Sequence, residues 1–254
     1  MTDVVLWGVQ RQILTRYSFR MYALRLNDVS AVSVIIPWRP APSRMIAFEA
    51  VTAWYAREFP GVEVRTIDTN DDVFVLAACR NRGIAAAGAD DVVVINDADT
   101  IPEPAALREA IAAARTSGLV HLPYTAYHWL GASGTAQYLK GAQPEDCDFE
   151  LVRGACSGVY VTTPRTWAAH GGQDERFRGW GYEDAAWNLA HQTLLGRPPQ
   201  RHDGRVYALH HVAETRAGAR FDANAALMER YRSAAGDPDA MRALVSEREP
   251  ASAS

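Results

Sequence analysis

The sequence predicts an α/β fold: a mostly parallel sheet with helices on both faces. Two observations carry this. Between Ala31 and Leu122, short β-branched runs such as AVSVIIP and DVVVIN alternate with stretches of helical spacing. Strands that alternate with helices of ~15 residues build parallel sheets. In addition, a chain of 254 residues, 48% hydrophobic and 22% charged, has the size and composition of a globular protein with a substantial core.

Ala31–Pro37 reads as a buried strand ending at proline. Ser43–Phe59 follows as a helix, with Met45, Phe48, Val51, Trp54 and Tyr55 on one face. Val62–Ile67 is the second strand. Val73–Ala87 is helical, with Gly88 as its C-cap. Asp91–Asn96 is the third strand. Pro102–Thr116 is a helix opened near Pro102 and ended by Gly118, and Leu119–Leu122 is the fourth strand. Pro123–Gly154 shows no sustained period and reads as a long loop, a class usually functional inside compact domains. Ser157–Thr163 is a strand, His170–Tyr182 a glycine-rich loop, Glu183–Leu195 a helix, Arg205–His211 a strand and Phe221–Ala235 a helix. The expected organisation is an N-terminal extension over 1–28, one domain over 29–248 with halves 29–122 and 123–248, and a loose tail over 249–254.

A net charge of −4 argues against a dedicated duplex-DNA binder, which needs a basic surplus to neutralise phosphates. Cys79, Cys147 and Cys156 are three cysteines without a CxxC pair, which disfavours a disulfide framework or a zinc site and fits a cytoplasmic location. No apolar run approaches the ~18–20 residues that span a bilayer, so no transmembrane segment is expected. Met1–Asp28 has four arginines and no continuous apolar core, so it does not read as a signal peptide.

Ligands of parallel α/β sheets bind beyond the carboxyl ends of the strands. That directs attention to Pro37–Pro42, Asp68–Asp72 and Asp97–Thr100. Asp97-Ala98-Asp99 follows the apolar run VVVI, so two carboxylates can reach one site together. Hard cations such as Mg²⁺ and Mn²⁺ favour oxygen ligands and substrate phosphates. The plainer alternative is a pair of solvated turn aspartates. A second constellation is GGQDERFRGWGYEDAAWN, Gly171–Asn188. Gly179 and Gly181 let backbone bend tightly beside a ligand. Trp180 offers a flat face to a sugar, and Asp184 is a candidate general base. Acids in a helix's first turn also suit its dipole, which explains Glu183 and Asp184 but not the Gly-Trp-Gly before them. Third, His210-His211 ends the run VYAL, and either imidazole could complete a site begun by carboxylates.

In this order, with CRNRGI at Cys79–Ile84, the motifs resemble the GT-A superfamily of nucleotide-sugar glycosyltransferases. CRNRGI is similar to a helix of family-2-like enzymes. GGQDERFRGWGYED resembles the carboxyl-terminal segment of β-1,4-galactosyltransferases, chondroitin-polymerase-type enzymes and polypeptide N-acetylgalactosaminyltransferases. The resemblance spans Ala31 to His211 and implies a GT-A fold with a Rossmann-like nucleotide-binding sheet. It implies that 29–122 binds the nucleotide-sugar donor, a UDP-sugar, and that 123–248 carries the acceptor and catalytic groups. Pro37, Arg39, Asp68 and Arg80 would then line the nucleoside site. Asp97 and Ala98 would contact donor or metal, and Asp99 with His211 (or His210) would hold Mn²⁺ or Mg²⁺. Trp180 and Gly181 would shape the sugar and acceptor sites, with Glu183 binding sugar hydroxyls and Asp184 as the base of an inverting hexosyl transfer. Two departures stand out. The galactosyltransferases carry a further acid where Ala185 stands, and Pro123–Gly154 matches no family segment and is expected to serve the acceptor.

The acceptor class stays open at this point: a glycan, a protein hydroxyl, a small molecule or, with the acidic balance against it, a modified DNA base. Two other readings stand beside a transferase of sugars. A nucleotidyltransferase also uses paired aspartates on a metal but leaves GWGYED unexplained. An inactive sugar-binding module would be expected to lack the DxD or the Glu-Asp pair, and both are present.

Overall fold

Val32–Pro37 (β1) is buried at every position, as a β-branched strand covered on both faces should be. In the computed structural model, residues 32–212 and 217–247 are described. The expected extension over 1–28 and tail over 249–254 lie outside them. After β1 come Met45–Glu58 (α1), Glu63–Ile67 (β2), Leu76–Ala85 (α2), Val92–Asn96 (β3), Thr100–Pro102 (β4) and Pro104–Ser117 (α3). His121–Leu122 (β5), Ala126–Trp129 (β6), Gly131–Leu139 (α4) and Glu150–Val152 (β7) follow, then Val159–Thr162 (β8) and Pro164–Ala169 (α5). The remainder is Glu183–Leu195 (α6), Gln200–Arg201 (β9), Arg205–Ala208 (β10), Ala219–Ala234 (α7) and Pro238–Ser246 (α8).

The main sheet runs β2-β1-β3-β8-β5-β9. Only β8 opposes its neighbours, so the sheet is mainly parallel as expected. Register decides what each face presents. Ile35 pairs with Ile95, and Ile95 with Tyr160, so the three side chains share one face. That face carries α2, packed so closely that a Cβ at Gly83 would meet the Ile35 Cδ1 at 2.4 Å. The opposite face carries α1, whose Tyr55 hydroxyl donates to Asn96 Oδ1 at 2.8 Å. There α3 lies beside α1, with Arg108 donating to the Glu58 carbonyl at 2.9 Å. Helices therefore cover both faces.

A second sheet of four strands, β4-β10-β6-β7, was not foreseen. It corrects two expectations. Pro102 ends β4 and does not open a helix; Pro104 starts α3. Pro123–Gly154 is not one long loop, since it holds β6, α4, a 3-10 turn at Pro144–Asp146 and β7. The signal was weak because the elements are short and α4 reads GASGTAQYL. Its Gly134 is required: an added Cβ would lie 1.9 Å from the Asp148 carbonyl oxygen. At the chain's end α6, α7 and α8 close a smaller core of Phe177, Ala190, Met228, Tyr231, Met241 and Leu244.

Candidate active site

The DxD loop leaves β3 tied to both sheets. The Asp97 amide donates to the Gly158 carbonyl at 2.8 Å, and the Thr100 amide closes a turn onto the Asp97 carbonyl. Antiparallel pairing of β4 with β10 brings the segment after β10 back along this loop, where the Leu209 amide donates to the Asp99 carbonyl at 2.7 Å. The result sets His211 beside Asp99, with Nδ1 2.6 Å from Oδ2. The contact lacks hydrogen-bond geometry, and the buried Nδ1 makes no hydrogen bond. His210 diverges. Its amide is anchored on the Thr135 hydroxyl and its ring lies 6.2 Å from that of Trp129. Among the described residues no three or more His, Cys, Asp or Glu side chains converge as a metal cluster.

Arg80, fully buried on α2, joins the DxD loop to the Glu-Asp pair. Its Nη2 donates to Asp97 Oδ1 at 2.7 Å and its Nη1 to Asp184 Oδ1 at 2.8 Å. Nη1 also donates to Gln173 Oε1 at 2.9 Å, and the guanidinium lies 4.9 Å from the Tyr160 ring centroid. Asp184 Oδ1 accepts further hydrogen bonds from the Tyr160 hydroxyl and Gln173 Nε2. Asp184 Oδ2 has no partner among the described residues, and the side chain is about one-fifth exposed at 21%. Burial pushes the Asp97 carboxyl up to about 6, opposed by Arg80 and reinforced by Asp184 and Asp99.

The next residue of α2 explains the rest of the CRNRG motif. Asn81 donates to the Gln173 carbonyl and to Glu175, and accepts from Trp167 Nε1 and the Gln173 amide. It clamps the Gly171–Glu175 turn so closely that a Cβ at Gly172, where φ is +66°, would sit 2.6 Å from Asn81 Oδ1. The GWG loop has its own clamp. Buried Asn224 of α7 accepts from the Arg178 amide and donates to the Arg178, Trp180 and Gly181 carbonyls. Gly181 takes φ +109° and Tyr182 φ +72°, which turns the chain sharply into α6. Trp180 stacks on Phe221 and remains 40% exposed. Glu183 Oε2 is buried without a hydrogen bond. Burial, then the adjacent Asp184 charge, pushes its carboxyl up to about 7.

On the other side of the sheet's carboxyl edge, Pro37 ends β1 and Arg39 forms a two-point ion pair with Asp68 at 2.7 and 2.8 Å. That hydrogen bonding holds the Asp68 carboxyl below its ordinary range. Ala98 is buried within the DxD turn. The structure thus gathers Arg80, Asp97 and Asp184 into one cluster and Asp99 with His211 into a pair, while His210 stands apart. Sequence reasoning missed Tyr160, Gln173, Asn81 and Asn224. Gln173 sat in a singled-out segment and Asn81 in the CRNRGI motif; Tyr160 and Asn224 carried no local signal.

No protein-family profile matches the chain, and no curated protein does. Solved structures do. The catalytic domain of Drosophila β1,4-galactosyltransferase 7, complexed with xylobiose, matches with a TM-score of 0.50 at 16% identity, over 76% of this chain and 79% of that one. GalNAc-T7 with UDP, GalNAc and Mn²⁺ matches with a TM-score of 0.54 at 9% identity, over 85% of this chain and 54% of that one. A mutant of the Drosophila enzyme with manganese, UDP-Gal and xylobiose matches with a TM-score of 0.45 at 18% identity, over 67% of this chain; the chain spans 63% of its length. The chain has the GT-A fold. Among the described residues no helix is long and apolar enough to cross a membrane.

Proposed function

We propose that this chain is a metal-dependent, inverting glycosyltransferase that moves a hexosyl group from a UDP-sugar to a hydroxyl acceptor. The GT-A fold supports a nucleotide-sugar donor, and the ligands of one neighbour, UDP and Mn²⁺ in GalNAc-T7, point to the same pair here. The observation that carries the mechanism is Asp184. Three donors fix its Oδ1, and its Oδ2 is left to take a proton. Pro37, Arg39 and Asp68 bind the nucleoside. Asp99 and His211 fit a divalent cation, because a buried imidazole nitrogen without a hydrogen bond lies against a carboxylate oxygen. Mn²⁺ or Mg²⁺ bound there would offset charge on the departing diphosphate. Asp97, already held by Arg80, braces the loop from the other side. The buried Glu183 oxygen suits a sugar hydroxyl, and the exposed face of Trp180 suits a sugar ring.

In the step itself the acceptor oxygen attacks the anomeric carbon from the face opposite the nucleotide. Its proton passes to Asp184 Oδ2 as the bond to the diphosphate breaks. The test compares two variants by calorimetry and steady-state kinetics, with a panel of UDP-sugars and Mn²⁺. Asp184→Asn keeps an oxygen for Arg80 and Tyr160 but cannot accept a proton. It should lower kcat about 10²–10⁴-fold with donor Kd unchanged. Asp99→Asn should weaken Mn²⁺ and donor together. Normal turnover by Asp184→Asn, or turnover of the wild type in excess chelator, refutes the assignment.

A further inference from the structure

On the side of the DxD loop formed by the 123–154 segment lies a cavity of about 350 Å³ that no role above uses. Its walls include Tyr124, Tyr127, Leu151, Arg153 and Arg201, and among the described residues no Asp or Glu side chain lines it. Tyr127 connects it to the reaction centre. The Tyr127 ring packs on Gly158, where a Cβ would meet Cε2 at 3.1 Å, and the Gly158 carbonyl receives the Asp97 amide. The cavity thus opens next to the DxD loop, on the side formed by the 123–154 segment.

Both arginines lack an acidic partner among the described residues. Arg153 is exposed beyond the end of β7 and has no ion pair or side-chain hydrogen bond among the described residues. Arg201 is held in place by neutral groups. Its Nη2 donates to the Ala155 carbonyl at 2.5 Å, and its guanidinium lies 5.3 Å from the Tyr124 ring centroid. Tyr124 is buried, with its hydroxyl fixed on the Ser157 carbonyl at 2.7 Å. A guanidinium has five N–H donors in a rigid fork that matches carboxylate, sulfate and phosphate oxygens. One of the five is used on Ala155. Elsewhere in this chain arginines near the site are neutralised: Arg39 by Asp68, and Arg80 by Asp97 and Asp184. Two uncompensated arginines on one cavity of ligand size, floored by tyrosine, form a receptor for an oxyanion with an apolar or hydroxylated body.

We propose that this cavity is the acceptor subsite and that it selects an acceptor sugar bearing an anionic group, bound by Arg153 and Arg201. The inference rests on the glycosyltransferase reading above, since it takes the neighbouring site as the donor's. It names the acceptor by its chemistry: a sugar with a carboxylate, sulfate or phosphate, presenting a free hydroxyl toward Asp184.

The test uses the full chain saturated with UDP and Mn²⁺. Binding of methyl β-D-glucuronide, glucose 6-sulfate, glucose 6-phosphate and methyl β-D-glucoside is titrated separately by NMR. At least one anionic sugar should bind tenfold or more tighter than the neutral glucoside, and the arms identify which oxyanion is preferred. Arg201→Gln and Arg153→Gln should each weaken that sugar roughly 10- to 100-fold while leaving UDP affinity and donor hydrolysis by water as in wild type. Arg153 is exposed and has no partner to lose among the described residues, so its variant keeps the test valid if Arg201→Gln disturbs the fold. Equal binding of neutral and anionic sugars, binding by none of the anionic sugars, or indifference of both variants overturns the proposal. If UDP binds and sugar transfer proceeds while these tests fail, the acceptor assignment falls and the glycosyltransferase reading stands. If UDP does not bind, that reading falls by itself.

Discussion

Replacing Arg80 by methionine should destabilise the protein strongly, and the structure sets the size of the loss. The guanidinium is fully buried and holds two carboxylates, Asp97 at 2.7 Å and Asp184 at 2.8 Å. Removing one partner of a buried ion pair costs about 3–5 kcal/mol, because the charge left behind is uncompensated. Here both carboxylates keep some contact with water, 22% and 21% exposed, which pulls the expected loss toward about 3 kcal/mol. Methionine restores most of the packing against Tyr160 but no donor for Gln173. The loss should depend on pH. With Arg80 present the Asp97 carboxyl sits at about 6, and without that cation it moves higher. Protonation removes the stranded charge, so the variant should lose more stability at pH 8 than at pH 5. Urea unfolding at both pH values measures this, and adding Asp184→Asn to Arg80→Met should return about 1 kcal/mol or more. A loss under about 1 kcal/mol at pH 8, or no recovery in the double variant, would refute the view that Arg80 serves as the shared counter-ion.

Three further outcomes are expected. Buried His121 and His191 are pushed down to about 4 by desolvation, from 6.5 in the unfolded chain, so their contribution to stability is complete above pH 6.5 and lost as pH falls toward 4. Each should cost about 3 kcal/mol across that window, read as falling urea midpoints, with NMR showing both rings neutral at about pH 5.5. Gly172→Ala must take φ +66° with its Cβ 2.6 Å from Asn81 Oδ1, so it should cost about 1–3 kcal/mol and lower kcat by loosening Gln173 against Asp184; an unchanged melting temperature would contradict this. His211→Ala should weaken Mn²⁺ binding at least tenfold, measured by calorimetry with UDP present, whereas His210→Ala should leave it within twofold; equal effects would dissolve the distinction between the two histidines.

Much of the main sheet was legible because its strands are buried on both faces and therefore spell continuous apolar runs. VSVIIP and VVVIN leave few other readings, and α6 runs over Glu183–Leu195 as expected. The second sheet was not legible. β4 and β7 have three residues each, too short for any period to emerge, and β6 reads AYHW with mixed exposure. Its strands exist because β10 supplies edges on both sides, which is a tertiary fact. The site divides the same way. Asp97, Asp99, Glu183 and Asp184 were visible as local motifs. Tyr160 was hidden inside a strand that looked like core, because what brings it to the candidate site is its register with Ile95 and Ile35 opposite α2. The choice between His210 and His211 likewise needed the Leu209–Asp99 backbone bond to fix the phase of the strand's continuation.

The charges of the site can be followed one step further. Asp97, Asp184 and Glu183 share a partly desolvated region in which Arg80 is the buried cation, with Asp99 close enough for its charge to reach Asp97. Burial and mutual repulsion raise two of these acids, Asp97 to about 6 and Glu183 to about 7, although Arg80 opposes both shifts. One guanidinium is therefore not enough positive charge for this group. A nucleoside diphosphate would add more negative charge against the DxD loop, which the protein's own side chains there could not offset. On the reading proposed above, a divalent cation entering with the donor at the Asp99–His211 pair would offset that charge; the pair lies in contact range without a hydrogen bond between its members. That order has a measurable consequence. UDP and Mn²⁺ should bind with positive coupling, each raising the other's affinity by the same factor. Independent binding of the two would mean that the charge surplus is relieved by protonation of Asp97 and Glu183, and that Asp99 and His211 serve only to pin the β10 extension to the loop.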